Sequence, residues 1–215
     1  MTADAQAPVL VLASGNAGKA REIETLLSGT FSVQPQSAWG ISSPAETGLT
    51  YIENALIKVR HASANTGLPA IGEDSGLEVD ALGGAPGLYS ARYAGDDAGD
   101  IANLNKLLAA LKAIPPRART ARFRCLAVYL RRPDDPAPIL CEGCWEGMIL
   151  DAPRGANGFG YDPVFLVPDL GCSAAELDPT EKNRLSHRGQ AFTRMREALR
   201  MVAAEHASSR VPDGR

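Results

Sequence analysis

Aromatic side chains are scarce in this 215-residue chain, at 6% of it, and so are cysteine and histidine, with four and three. No apolar run approaches the ~20 residues that a bilayer span requires; Val9 to Ala13 is too short for a span or a signal peptide, and MTADAQAP at the start has no basic region. A cytoplasmic protein without a membrane partner is expected. Positive charge is not in excess, since 22 Lys+Arg face 25 Asp+Glu. The chain therefore lacks the broad field that nucleic acid would call for, and its partners should be small molecules. Of Cys125, Cys141, Cys144 and Cys172, the middle pair forms a CxxC. Ile139 to Leu150 reads as a strand, however, in which residues three apart face opposite ways, and no second CxxC or His pair completes a metal set. Buried, inert thiols are expected.

What is present alternates strand and helix. Val9 to Ala13 is a short strand, SGNAGK turns it into a helix over Lys19 to Leu27, and Gly29 follows in the C′ position. Thr50 with Glu53 three residues on marks a second helix start, striped with Tyr51, Ile52, Ala55, Leu56, Val59 and Ala62, with Lys58 on the border of the stripe. A strand beginning at Pro69 to Gly72 should end at Glu73 and Asp74, with Ser75 and Gly76 as a turn. Ile101, Leu104, Leu107, Leu108 and Leu111 line a third helix that Pro115 and Pro116 stop. Thr120 to Leu130 and Ile139 to Leu150 form a hairpin, Val164 to Val167 a further strand, and Gly189 to Glu205 a last helix burying Phe192, Met195, Leu199 and Val202. The pattern predicts an α/β fold with a mixed sheet: one domain over 8–206 between disordered ends, 1–7 and 207–215.

Three segments carry chemistry. Ser14, Gly15, Asn16, Ala17, Gly18 and Lys19 are not a Walker A, which would need Gly at Ala13 and Ser or Thr at Ala20. Small residues before a helix start nevertheless suit phosphate as well as a plain turn. In GEDSG, adjacent residues face oppositely, so at most one of Glu73 and Asp74 should enter a site directly, and Asp74 is the choice. Glu46 is a second carboxylate, and a carboxylate pair with phosphate oxygens is how Mg²⁺ is commonly held, although either acid could equally be solvated. GFGYDPVF offers Phe159 as a stacking ring between glycines, and Lys182, His187 and Arg188 form a donor cluster, or else a solvated basic turn. GEDSG fails the G-x-S-x-G pattern of a nucleophilic serine.

SGNAGK, ETGLTYIENALIK (46–58), EDSGLEVDALGGAPGLYSARYAG (73–95), PRGANGFGYDPVF (153–165) and EKNRLSHRGQA (181–191), in this order, resemble the inosine/xanthosine triphosphate pyrophosphatase family nearly end to end. The resemblance implies an elongated mixed sheet with two lobes around a cleft, usually as a homodimer. It implies hydrolysis of ITP, dITP and XTP to monophosphate and pyrophosphate, cleansing the nucleotide pool. By the same resemblance, Ser14 to Lys19 and Lys58 take the phosphates, while Glu46 and Asp74 hold Mg²⁺. Asp74 also accepts the proton of the attacking water, Ser75 touches the substrate, and Phe159, Gly160, Tyr161, Asp162, Lys182, His187 and Arg188 receive the base. One departure is visible: Glu73 stands where bacterial-type members often have Asp. Two alternatives are a related pyrophosphatase for modified pyrimidines or methylated nucleotides, and a nucleotide-binding regulator without catalysis.

Overall fold

The computed structural model describes residues 8–208, with side chains up to Met201. Seven strands form one sheet in the order β2-β1-β3-β4-β5-β6-β7. β1 (Val9–Leu12) and β2 (Ser32–Pro35) are parallel, joined by α1 (Ala17–Leu27), and β1 also runs parallel to β3 (Ala70–Val79). From β3 onward every pairing is antiparallel, through β4 (Thr120–Leu130), β5 (Ile139–Ile149), β6 (Phe165–Val167) and β7 (Cys172–Ser173). β3 is thus the seam between the two halves of the sheet.

β3 meets β1 only at Ala70 and Ile71 but pairs with β4 along its whole length. Past Ile71 its free edge meets the 3-10 turn Gly87–Arg92 instead: Ser90 Oγ accepts from Leu77 N at 2.9 Å. β3 therefore runs straight through Glu73, Asp74, Ser75 and Gly76, which corrects the expected strand end and turn. The glycine at 76 is required by proximity, because a Cβ there would lie 2.7 Å from the Tyr51 hydroxyl and overlap the Gly87 carbonyl.

α2 (Tyr51–Thr66) covers one face of the sheet, where Ala55, Val59 and Ala62 pack on Val11, Ala70 and Val128. α1 and α5 (His187–Ser208) cover the other, where Ile23, Leu27, Phe192, Met195 and Leu199 meet Leu10, Ile71 and Ala127. A third cluster fills the antiparallel end, built from Leu104 and Leu107 of α3 (Asp100–Ala110) with Leu77, Phe123, Trp145 and Phe165. Each cluster is apolar at helical or strand spacing, and its burial is the main term holding the layers together.

Several expectations need correction. Ile52 and Ile101 stay exposed, the latter at 77%, while Lys58 is not at the border but buried. The strand expected over Val164 to Val167 starts at Phe165, because Asp162–Val164 winds into a 3-10 turn around Pro163. A short helix, α4 (Pro179–Leu185), was not foreseen, and α5 starts at His187 and extends to Ser208 rather than ending at Glu205. Of the thiols, Cys125 is buried and the other three are half-buried; all are free. The expectations for residues 1–7, for 209–215 and for the Val202 side chain lie outside the described residues. Among the described residues no helix is long and apolar enough to cross a membrane.

Candidate functional site

The end of β1 delivers the chain to Ser14–Gly15–Asn16, and α1 starts there because Asn16 caps it: its Oδ1 accepts from Lys19 N at 3.0 Å. Ser14 Oγ accepts from Asn16 N at 3.2 Å and fixes the turn. The first-turn N–H groups of Ala17 and Gly18 have no intrahelical acceptor, the local geometry in which anions are commonly held. Gly18 lies against Phe159; a Cβ at position 18 would sit 2.9 Å from the ring.

Period-2 alternation along β3 then sorts the charged groups. Asp74 faces α2, where Lys58 Nζ donates to its Oδ1 at 2.9 Å and Asn54 Nδ2 donates to Oδ2 at 3.3 Å. The same ammonium donates to Glu46 Oε1 at 2.8 Å, and Arg92 stands 3.6 Å from the other oxygen. Burial pushes the Asp74 carboxyl above its usual range, and Lys58 and Lys19 only partly offset this. For Glu46, burial also opposes ionisation, but Lys58, Lys19 and Arg92 prevail and its pKa falls. Lys58 stays charged: burial works against its charge, and Asp74, Glu73 and Glu46 outweigh it.

Glu73 and Ser75 face the other way, towards α1 and α5. Glu73 Oε1 pairs with Lys19 at 2.9 Å and with Arg188 at 3.3 Å, and Ser75 Oγ accepts from Arg188 at 3.2 Å. Burial resists the ionisation of Glu73, yet Lys19 and Arg188 hold its carboxyl well below the ordinary value. Glu73 is thus engaged by the two cations, as Asp74 is by Lys58. Alternation holds: Glu73 serves the Lys19 and Arg188 side of β3 and Asp74 the Lys58 side, and neither acid is among the residues that line the cleft.

α4 and α5 meet at a sharp corner in which a Cβ at Gly189 would overlap the carbonyl of Asn183, and Ser186 Oγ accepts from Gly189 N at 3.0 Å. This corner presents Lys182, His187 and Arg188, all buried. Lys182 lies 5.0 Å and Arg188 5.6 Å from the Phe159 ring centroid. Asp162 accepts from Phe159 N at 2.9 Å and from Lys182 Nζ at 2.6 Å, and Gly158 has φ +74° with no room for a Cβ beside that carboxylate. Tyr161, expected at the base, has its hydroxyl bound to Ser90 O at 2.8 Å and its ring in the core, so it supports the wall. His187 stacks on Phe123 at 4.7 Å with planes 11° apart. Burial, with Arg188 beside it, lowers its pKa well below the usual value, so it is neutral rather than a third cation, and its Nδ1 has no partner.

Part of this set lines an open cleft whose empty space, counted out to its mouth, is about 740 Å³. Asn16, Lys19, Ser75, Phe159 and the donor corner border it; Ser14, Gly15, Ala17, Gly18, Glu46, Lys58 and Asp74 lie outside its lining, the last three grouped across β3. The hard oxygens of Glu46 and Asp74 converge on one cationic point, a donor set that fits Mg²⁺ with phosphate completing the shell. Among the described residues no cluster of three or more His, Cys, Asp or Glu offers an all-protein metal cage. Sequence reasoning missed Asp100, which accepts from Gly160 N at 2.8 Å, and Glu22, which binds Lys182 and Arg188. Glu22 could have been found: three residues after Lys19 on a helix, it shares Lys19's side.

The model of the Ham1 family matches residues 10–198. A dITP/XTP pyrophosphatase of Vibrio cholerae is 57% identical over 191 residues, covering 88% of this chain and 96% of that protein. One from Methylococcus capsulatus is 58% identical over 194 residues, covering 90% and 96%. Among solved structures, a HAM1 protein from Coxiella burnetii superposes with TM-score 0.83 at 47% identity, over 90% of this chain and 99% of that one. A nucleoside-triphosphatase / dITP/XTP pyrophosphatase from Mycobacterium abscessus gives 0.69 at 38%, over 87% and 98%.

Proposed function

Because the chain belongs to the Ham1 family, we propose that it is a nucleoside-triphosphate pyrophosphatase that hydrolyses deaminated purine nucleoside triphosphates, ITP, dITP and XTP, to the monophosphate and pyrophosphate. The observation that carries this reading is β3 itself. One face presents a buried carboxylate with a raised pKa beside a lysine, and the other opens on a donor pocket next to an aromatic ring.

Water attacks the α-phosphorus; the new O–P bond forms as the bond to the bridging oxygen breaks and pyrophosphate departs. Asp74, buried beside the Lys58 ammonium, takes the proton of that water. Glu46 and Asp74 would hold Mg²⁺, which supplies charge neutralisation to the triphosphate. Lys58, beside both carboxylates, and the N–H groups of the Ala17–Gly18 turn with Lys19 would take phosphate oxygens. The base enters beside Phe159, where Arg188 and Lys182 donate to a 6-oxo group. Adenine, whose amino group is itself a donor there, leaves those donors unpaired, a mismatch that can discriminate strongly.

A cytoplasmic homodimer completes the proposal. Four free thiols suit a reducing compartment, and large apolar side chains on the surface, such as Leu49 at 84% exposure, suit a subunit contact. The test is pyrophosphate release across ITP, dITP, XTP, GTP, ATP and modified pyrimidine triphosphates, with Mg²⁺ or excess chelator. Hydrolysis of the deaminated purines in Mg²⁺ alone is expected; tight ITP binding without hydrolysis in any condition would instead mark a nucleotide sensor.

A further inference from the structure

The two cations of the donor corner come from different helices, Lys182 from α4 and Arg188 from α5, and one carboxylate from α1 touches both. Glu22 Oε1 pairs with Lys182 Nζ at 2.7 Å and Glu22 Oε2 with Arg188 Nη1 at 2.6 Å. Around it the ion pairs run without a gap from Asp162 to Lys182, Glu22, Arg188, Glu73 and Lys19. Three cations thus meet three carboxylates; beside this row stand His187, held neutral by burial, the Cys125 thiol, pushed up by burial, and, acting on Glu73 from the other face of β3, Lys58 with its partners Asp74 and Glu46.

Glu22 is not the sole partner of either cation. Without it Lys182 keeps Asp162 at 2.6 Å, and Arg188 keeps Glu73 and Ser75. What would vanish is the bridge between the two helices and one negative charge beside the base.

Resting on the reading of the site as a pyrophosphatase for deaminated purines, we infer that Glu22 is a positioning and specificity-determining residue: it sets the spacing of Lys182 and Arg188 and keeps the base pocket electrically balanced, so that neutral hypoxanthine competes with xanthine. Xanthine has the more acidic ring N–H and loses it near neutral pH, so the two bases differ in charge as well as shape. A pocket with one cation in excess favours the anion; a balanced one does not.

The experiment compares wild type with Glu22→Gln, which keeps shape and removes charge, and with Glu22→Ala as a second variant should one of them misfold. kcat/KM for XTP and for ITP is measured from acid to alkaline pH, alongside the affinities of xanthosine and inosine monophosphates for the metal-free protein. The XTP-to-ITP ratio should rise roughly tenfold in the variants above neutrality, the size of one unbalanced charge within a side chain's reach, and return to the wild-type ratio in acid, where xanthine is neutral. The monophosphate affinities should follow the same pattern. Parallel loss for both substrates at every pH, or an unchanged ratio, would reduce Glu22 to a structural brace and overturn the inference. Wild type that hydrolyses neither triphosphate would instead remove the functional reading, and the monophosphate ratio would then decide on Glu22 by itself.

Discussion

Asp74 is the residue on which the proposed chemistry turns. Asp74→Asn keeps its outline and its contact with Asn54, leaves Lys58 paired with Glu46, and removes both the proton acceptor and half of the carboxylate pair. Turnover should fall by about 10²–10⁴ or more, while ITP binding survives because the phosphate turn and the donor corner are untouched. Steady-state rates with a parallel binding isotherm check this; wild-type-like rates would exclude the role. At this scale the residues nameable from sequence were those with a local signature: a glycine-flanked ring, an acid inside GEDSG, a lysine in a helix cap. Lys58 was misjudged as a border residue because its burial depends on Glu46, twelve positions before it, and on Asp74, sixteen after. Glu22 shares Lys19's side of α1, a local signal, but was passed over because its partners lie 160 and 166 positions away.

Among the elements, the α4–α5 corner is the most tightly constrained. Gly189→Ala drives a methyl into the Asn183 carbonyl, backbone against backbone, so one helix must move. A cost of about 3 kcal/mol is expected, seen as a thermal midpoint lower by roughly 6–12 °C. Activity at low temperature should fall too, because the same corner carries Lys182 and Arg188. Circular dichroism melts together with assays of the folded fraction would show it. The hairpin of β4 and β5 was legible to within a residue, since apolar alternation on both sides of Asp134, Asp135 and Pro136 permits little else. α4 was not, being seven residues long, mostly polar and opened by Pro179. β3 was cut short for an instructive reason: Ser75 and Gly76 look like a turn in isolation, and only the pressure of Gly87 and Tyr51 on the far side explains a glycine inside a strand. Apolar spacing likewise marked Ile52 and Ile101 for the interior, although each is the second residue of its helix and stays exposed.

For the molecule as a whole, stability should decline towards acid in two stages. His187 is buried and neutral with a folded pKa far below 6.5, so below that pH the unfolded chain binds a proton that the folded one refuses. Stability then falls with the slope of one proton, about 1.4 kcal/mol per pH unit. Glu73 and Glu22 have folded pKa values below the ordinary 4.5; their contribution is complete above that value and drains away as pH falls towards the folded ones, steepening the loss. Denaturant melts from neutrality to acid should show this, and His187→Gln should flatten the first stage only. The position of β3 as seam of the sheet has a consequence for how such a protein can change over generations. On the proposed function its two faces would address different ends of one ligand, so that a substitution on one face could retune recognition while the bond-breaking apparatus on the other stayed as it was. An inserted or deleted residue has no such privacy: it turns every later side chain of the strand to the wrong side and exchanges the two vocabularies at a stroke. Drift at this strand should therefore proceed by spelling, never by length.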